Sequence, residues 1–220
     1  MTGPYQEELR GVCIKWTEAV KRIDGNESRM AFFQDAVPVL LVNRPLWGGL
    51  LKAITSGEPH PDLRQETLFD NELVLYRDPG RLFSLRAYIF GPGAHTSVHD
   101  HTSWGVSGSA FGQLEVVRYR REDDGSDPDL AYLATEARHA LRPGEIETTL
   151  PLDRGIHRTG NPVEGTTLMV SVYGTPLRRL YIQRFNLENG TVHRLFPPRL
   201  KKKMLAEQAL KAMETTRTSN

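Results

Sequence analysis

Two histidines have the residue type and spacing needed to bind one metal ion, and a third follows later in the chain. His99 and His101 are separated by a single residue, and His157 follows 56 residues after His101. Side chains on a β-strand alternate between its two faces, so a strand over Ser97–His101 projects both imidazoles from one face. Neutral imidazole is the commonest metal ligand in proteins, so His99 and His101 are candidates to bind one metal ion, and His157 lies in a similar setting later in the chain.

Short strands are the elements expected to position these histidines. From about Glu72 to His193 the chain alternates brief apolar runs with turns rich in Gly, Pro, Asn and Asp. The predicted strands are Leu73–Tyr76, Leu82–Phe90, Ser97–His101, Trp104–Ser109, Gly112–Arg121, Ala131–Ala134, Ala137–Leu141, Glu145–Leu150, Ile156–Gly160, Thr166–Tyr173 and Leu180–Asn186. Many short strands at this spacing favour a sandwich or barrel over a βαβ fold.

The start of the chain has a helical pattern instead. Apolar residues recur at helical spacing over Leu9–Ile23, which predicts an amphipathic helix. A second helix is expected from an N-cap at Ser28 and is interrupted at Pro38, and a short third one covers Leu46–Ile54.

We therefore expect one domain with three parts. Residues 1–61 form a helical extension packed on the barrel, residues 62–198 form the barrel, and residues 199–220 form a basic C-terminal helix or tail. The chain of 220 residues has a net charge of +1, with about +5 from Arg194 onward and about −4 before it. A solvated helix explains the basic tail better than a nucleic-acid site, because no basic stripe with interleaved aromatic residues accompanies it.

Composition also bears on the compartment. No apolar run approaches the roughly 20 residues of a membrane span, and the N-terminus lacks the apolar core of a secretory signal. Cys13 is the single cysteine, so no disulfide forms within the chain, and a cytoplasmic location is expected.

The histidine motifs resemble a known two-part signature. Gly93-x5-His99-x-His101, followed by Gly155-Ile-His157-Arg-Thr-Gly-Asn161, is similar to that of the cupins, in which a jelly-roll barrel buries a metal between its halves. The resemblance covers about 120 residues and implies a mainly β fold, a cupin double-stranded β-helix with an N-terminal helical layer. A cupin usually has a glutamate shortly after His-x-His, but no carboxylate occurs over Thr102–Ser107.

The missing glutamate leaves a site of three neutral ligands. Such a site leaves a divalent ion with its full +2 charge and with open positions, which favours an anionic co-ligand such as a thiolate. Such a site is also compatible with a zinc ion that activates water. Ligand type alone leaves Fe, Zn and Mn open.

A narrower resemblance comes from the residues around the histidines. His99-Asp-His101-Thr, the preceding Gly-Pro-Gly, Trp104-Gly105 and Gly-Ile-His157-Arg resemble the bacterial thiol dioxygenases, namely cysteine dioxygenase and 3-mercaptopropionate dioxygenase. The resemblance implies an Fe(II) cofactor held by His99, His101 and His157. It also implies that a small thiol and O₂ are the substrates and that a sulfinic acid is the product.

The same resemblance assigns a tyrosine near the iron, and Tyr173 occupies that place. The family usually has Ser-x-His-x-Tyr there, whereas this chain has Met169-Val-Ser171-Val-Tyr173, so the relay that orients the tyrosine is absent or rebuilt. Some members join the tyrosine covalently to a cysteine, but Gly105 and Val106 occupy that region here.

Two arginines are candidates for binding the substrate carboxylate. Arg77, 22 residues before His99, resembles the position of the carboxylate-binding arginine of cysteine dioxygenases. Arg179 resembles the arginine that the mercaptopropionate enzymes use. A bidentate guanidinium suits a carboxylate, and having both candidates leaves the two subtypes open.

Two other functions stay open beside thiol oxidation. One is a cupin metalloenzyme of another reaction, and the other is a non-catalytic metal-binding cupin. In either thiol dioxygenase the partners are a small-molecule thiol and O₂, with no nucleic acid and no membrane.

Overall fold

The computed structural model describes the backbone of residues 3–218 and the side chains of residues 3–211. The helices are α1 (Pro4–Val20), α2 (Asn26–Leu41), α3 (Arg44–Ser56) and α4 (Pro198–Thr218), and a 3-10 turn covers Leu152–Gly155. The strands are β1 (Glu72–Arg77), β2 (Phe83–Phe90), β3 (Val98–His99), β4 (Gly105–Phe111), β5 (Leu114–Arg121), β6 (Leu133–Leu141), β7 (Ile146–Thr149), β8 (His157–Gly160), β9 (Thr167–Gly174), β10 (Ile182–Phe185) and β11 (Val192–Leu195).

The strands form two antiparallel sheets that enclose the barrel interior. The first sheet has the order β1-β2-β9-β4-β7, and the second has the order β11-β10-β3-β8-β5-β6. Strands β2 to β5 alternate between the sheets and then pair with β9, β8, β7 and β6 respectively. This nested pairing is a double-stranded β-helix, so the predicted cupin jelly-roll is confirmed.

Helices α1, α2 and α3 cover the outer face of the first sheet. Along β9 the side chains alternate, so that Val170 and Val172 join the core shared with the helices while Tyr173 packs with the barrel interior. Phe33 of α2 is fully buried in the shared core, where its ring lies 5.3 Å from that of Trp16. The predicted N-terminal helical layer is therefore confirmed.

Two details of the helices differ from the prediction. Helix α2 begins two residues before the expected N-cap at Ser28, because Gly25 supplies a positive φ of 82° that allows the chain to turn into the helix. Pro38 lies inside α2 and does not interrupt it. A proline lacks only its own N–H, and the Pro38 carbonyl still accepts a hydrogen bond from Val42 N at 3.4 Å.

Three strand predictions also need correction. The runs Ala131–Ala134 and Ala137–Leu141 belong to one strand, β6, which stays paired with β5 through a bulge in the register. Strand β11 follows the turn at Asn189-Gly190 and was not predicted. The strand expected over Ser97–His101 is limited to β3, so His101 lies beyond its end.

The division into residues 1–61, 62–198 and 199–220 stays a prediction, although α4 begins at Pro198, next to the last proposed boundary. No helix within residues 3–218 is long and apolar enough to span a membrane.

Candidate metal centre

The structure brings the three predicted ligands together inside the barrel. His99 on β3 lies directly opposite His157 on β8, and His101 follows two residues later in the chain. One ring nitrogen from each histidine lies within 4.8 Å of the others, and the Nε2 atoms of His101 and His157 are 2.8 Å apart. All three side chains are buried.

The 3-10 turn fixes two of the ligands at once. Leu152, the first residue of the turn, donates its N–H to the carbonyl of His101 at 2.8 Å, and the turn ends two residues before His157. At Gly155 a Cβ atom would lie 1.8 Å from the carbonyl oxygen of Leu150, so only glycine fits there. His101 is therefore positioned by the 3-10 turn, and not by a strand as the sequence predicted.

Burial keeps the three imidazoles neutral. It lowers the pKa of His99 to about 4, and together with neighbouring positive groups it lowers the pKa values of His101 and His157 well below 6.5. His99 Nδ1 lies 2.8 Å from the carbonyl of Ser97, which fixes the proton on Nδ1 and leaves a lone pair on Nε2. Three converging neutral nitrogen donors fit a divalent transition metal.

Asp100, between His99 and His101, is not part of the candidate donor set. Its carboxylate is fully buried and accepts hydrogen bonds from Arg179 Nη2 at 2.6 Å and from the backbone N–H of Gln183 at 2.7 Å. Burial raises the pKa of this carboxyl, and the contact with Arg179 opposes the shift. The pair ties the segment that contains His99 and His101 to β10.

Tyr173 lies against the histidines. On β9 it sits opposite Gly105, and its ring stacks on that of His101 with 5.5 Å between centroids and an interplanar angle of 24°. A Cβ at Gly105 would lie 3.0 Å from two carbons of the Tyr173 ring, so glycine provides the space for the stack. Burial raises the pKa of Tyr173, which therefore keeps its phenolic proton at neutral pH.

Two hydroxyl groups lie beside that of Tyr173. Tyr88 on β2 donates to the Tyr173 hydroxyl over 3.4 Å. Ser171, which stands where the resemblance places a histidine, is fully buried; its side chain opposes the rise in the pKa of Tyr173, although its Oγ meets no partner with full hydrogen-bond geometry among the described residues. The hydrogen bond to Tyr173 therefore comes from another strand, and Tyr173's own O–H stays available.

A cavity of about 330 Å³ opens beside His101 and Tyr173. Its walls include Arg77, whereas Arg179 lies elsewhere, with its guanidinium on Asp100 and 5.2 Å above the ring of Tyr181. Of the two predicted carboxylate ligands, the structure therefore places Arg77 at the cavity and Arg179 in a buried contact behind the ligand segment.

A third arginine, Arg86, lies in the wall of this cavity and was not predicted from the sequence. Its Cζ lies 5.6 Å from the centroid of the Tyr173 ring, and its Nη1 is ion-paired with the buried Glu72. Its Nε donates to Ser84 Oγ at 3.4 Å. A signal was present, because Ser84, Arg86 and Tyr88 alternate with buried apolar residues along β2, the pattern of side chains that face a polar interior.

Phe69 was also missed. It precedes β1 in an irregular segment that no periodic pattern marks, and its ring lies 5.0 Å from that of His99 and 6.4 Å from that of Tyr88. Phe69 therefore supplies an apolar wall that limits the access of water to the histidines.

Comparison with known proteins gives likenesses to solved structures, and no protein-family model matches the sequence. A cupin-2 domain protein from Rhodospirillum rubrum is 17% identical with a TM-score of 0.37, and the match covers 49% of this chain and 61% of that one. A cupin 2 conserved barrel domain protein from Rhodopseudomonas palustris is 12% identical with a TM-score of 0.40, over 54% and 68% of the two chains. A double-stranded β-helix protein from Klebsiella pneumoniae is 13% identical with a TM-score of 0.36, over 60% and 96%. The fold assignment rests on the strand order of this chain itself.

Proposed function

We propose that this protein is a non-haem iron thiol dioxygenase that oxidises a small thiol bearing a carboxylate, of the cysteine type, to its sulfinic acid. One thiolate and one O₂ combine, and both oxygen atoms end on sulfur. The observation that carries the proposal is a cluster of three neutral histidines, one of which, His101, lines a cavity together with the protonated Tyr173 and the guanidinium of Arg77.

The donor set supports this reaction by its charge. His99, His101 and His157 would hold the ion without neutralising it, and an anionic thiolate then complements the site better than a neutral ligand does. Bound Fe(II) would supply the electron transfer that allows a closed-shell thiolate to react with O₂.

The surrounding side chains orient the reactants and exclude water. Tyr173 is placed to donate its phenolic proton toward the cavity, since Tyr88 already occupies the acceptor side of its hydroxyl. Arg77 and Arg86 line the same cavity and provide guanidinium groups for the substrate carboxylate. Phe69 shields the ligand set and so strengthens electrostatic contacts inside.

The test is oxygen uptake by iron-loaded protein with cysteine, 3-mercaptopropionate and cysteamine, with the sulfinate quantified. We expect one O₂ consumed for each sulfinate formed and a preference for a carboxylate-bearing thiol. His157→Ala removes a ligand and should abolish uptake, while His193→Ala, which removes an exposed imidazole, is the matched control.

Two results would redirect the proposal. Full iron loading with no uptake for any thiol would rule out thiol oxidation and leave a metal-binding cupin without this activity. Zinc that stays bound through anaerobic iron reconstitution would favour a cupin metalloenzyme of another reaction.

A further inference from the structure

Two arginines lie at the mouth of the cavity, more than one carboxylate of a small thiol needs for binding. Arg77 ends β1 and Arg81 lies in the following turn, and both line the cavity with exposed side chains. Within residues 3–211, neither guanidinium has a carboxylate within ion-pairing distance. Arg86, deeper in the cavity, is already paired with Glu72.

The nearby acid at the mouth is engaged elsewhere. Asp78 is buried, and its carboxylate accepts from Thr17 Oγ1 at 2.9 Å and from Leu82 N at 3.0 Å. These bonds hold the β1–β2 turn in shape. Asp78 and Glu72 together offset two of the three arginine charges, so the charged side chains of the lining leave one net positive charge.

The register of the first sheet places this charge within reach of the centre. Arg77 lies opposite Ser84 on β2, and Ser84 lies opposite Tyr173 on β9. Neighbouring strands are about 4.8 Å apart, so the Arg77 and Tyr173 backbones are roughly 10 Å apart across two strand spacings. Arg81 follows four residues later, and Thr175 Oγ1 donates to its carbonyl at 3.0 Å, which ties the turn to the chain after β9.

The cavity is also larger than a three-carbon thiol needs. Its volume of about 330 Å³ falls within the roughly 300–1,000 Å³ typical of small-molecule pockets, which hold ligands larger than a three-carbon thiol. A thiol the size of cysteine fills only part of that space, and the rest lies toward the two mouth arginines.

We infer that the substrate is a thiol with two acidic groups, one bound near Arg86 and Arg77 and the second bound at the mouth by Arg81. This inference rests on the proposed thiol oxidation. A thiolate and two acidic groups carry three negative charges, which matches two charges from the metal and one from the lining. A monocarboxylate thiol would leave one charge unmatched.

Binding to metal-free protein tests the anion site without any turnover. By calorimetry, we expect succinate to bind at least tenfold more tightly than propionate at equal ionic strength. Arg81→Gln should reduce that preference about fivefold, the scale of one exposed charge pair, and Arg81→Lys should restore part of it. Arg142→Gln removes an exposed arginine outside the cavity and is the matched control. Equal binding of the two acids by the unaltered protein would overturn the inference.

Turnover separates this inference from the proposed function. With iron-loaded protein we expect kcat/KM for 2-mercaptosuccinate to exceed that for 3-mercaptopropionate, and Arg81→Gln to narrow the difference. If 3-mercaptopropionate is oxidised as efficiently as 2-mercaptosuccinate, the claim that the substrate has a second acidic group is wrong, whereas the proposed thiol oxidation is supported. If no thiol is oxidised but succinate still binds more tightly than propionate, the proposed thiol oxidation is wrong, whereas the binding site for two acidic groups is supported.

Discussion

Replacing Arg179 with glutamine tests whether this arginine positions the metal ligands or binds substrate. The change removes the cation 2.6 Å from Asp100 Oδ1 and leaves a fully buried carboxylate with the Gln183 N–H. Exposed ion pairs contribute about 0.2–1 kcal/mol, and breaking a buried one costs about 3–5 kcal/mol. The Arg179 side chain is 19% exposed, which places the pair between these two cases. We therefore expect Arg179→Gln to lower the free energy of unfolding by about 2 kcal/mol.

The assay is urea denaturation of metal-free protein, combined with a double-mutant cycle. Arg179→Gln and Asp100→Asn should each lower the free energy of unfolding, and the double variant should lose less than their sum because the two residues share one contact. Arg178→Gln, at an exposed neighbouring position, should change stability by less than about 0.5 kcal/mol.

A positioning role also predicts a specific effect on metal binding. Asp100 lies between His99 and His101, and loss of a partner that orients ligands weakens metal affinity by about tenfold or more. The KM for the thiol should stay within about twofold once iron is saturating. Unchanged stability with a strongly raised KM would refute this reasoning and place Arg179 on the substrate, as the resemblance to mercaptopropionate enzymes implies.

Three further predictions concern pH, space and substrate charge. The pKa of His99 is about 4 in the folded chain against 6.5 when unperturbed, so below pH 6.5 the unfolded chain takes up a proton that the folded chain does not. The free energy of unfolding of the metal-free protein should therefore fall by about 3 kcal/mol, from His99 alone, as pH falls from 6.5 toward 4. A free energy of unfolding that does not change with pH in urea titrations would contradict the burial argument. Gly105→Ala places a Cβ 3.0 Å from the Tyr173 ring. It should lower the free energy of unfolding by about 1–3 kcal/mol and slow oxygen uptake. If neither stability nor oxygen uptake changes, the ring moves freely. Arg77→Gln should raise the KM for 3-mercaptopropionate about fivefold but leave cysteamine, which has no carboxylate, unaffected, and an equal effect on both would argue against carboxylate binding.

Local patterns were sufficient to predict the architecture. The change from helical spacing to short runs separated by turns predicted the helical layer and the barrel, because each pattern reflects which faces are buried. The sequence predicts two strands, Ala131–Ala134 and Ala137–Leu141, yet pairing with β5 on both sides of a bulge at Glu136 makes one strand of them. A partner strand can override a local signal in this way.

The grouping of the three histidines agrees with the sequence, but the contacts that position them could not be predicted from it. The spacing of His99 and His101 implied one face of a strand, whereas His101 lies beyond β3 and is held by the backbone of Leu152, 51 residues later in the chain. No local pattern reports a contact between positions so far apart.

Contacts between distant parts of the chain also determine the surroundings of the site, and local patterns do not predict them. Arg179 and Asp100 are 79 residues apart and meet through β10, so a guanidinium that suited a substrate carboxylate in the sequence is bound to a carboxylate of the protein itself. Arg86 has no motif around it, and its role appears only once β2 is seen beside β9.

The most direct test of the central claim is the isotopic composition of the product formed by iron-loaded protein under oxygen-labelled O₂. The proposed oxidation of a thiol at the three histidines predicts a sulfinate in which both added oxygen atoms carry the label. Unlabelled product, a single labelled oxygen, or disulfide as the sole product would contradict it.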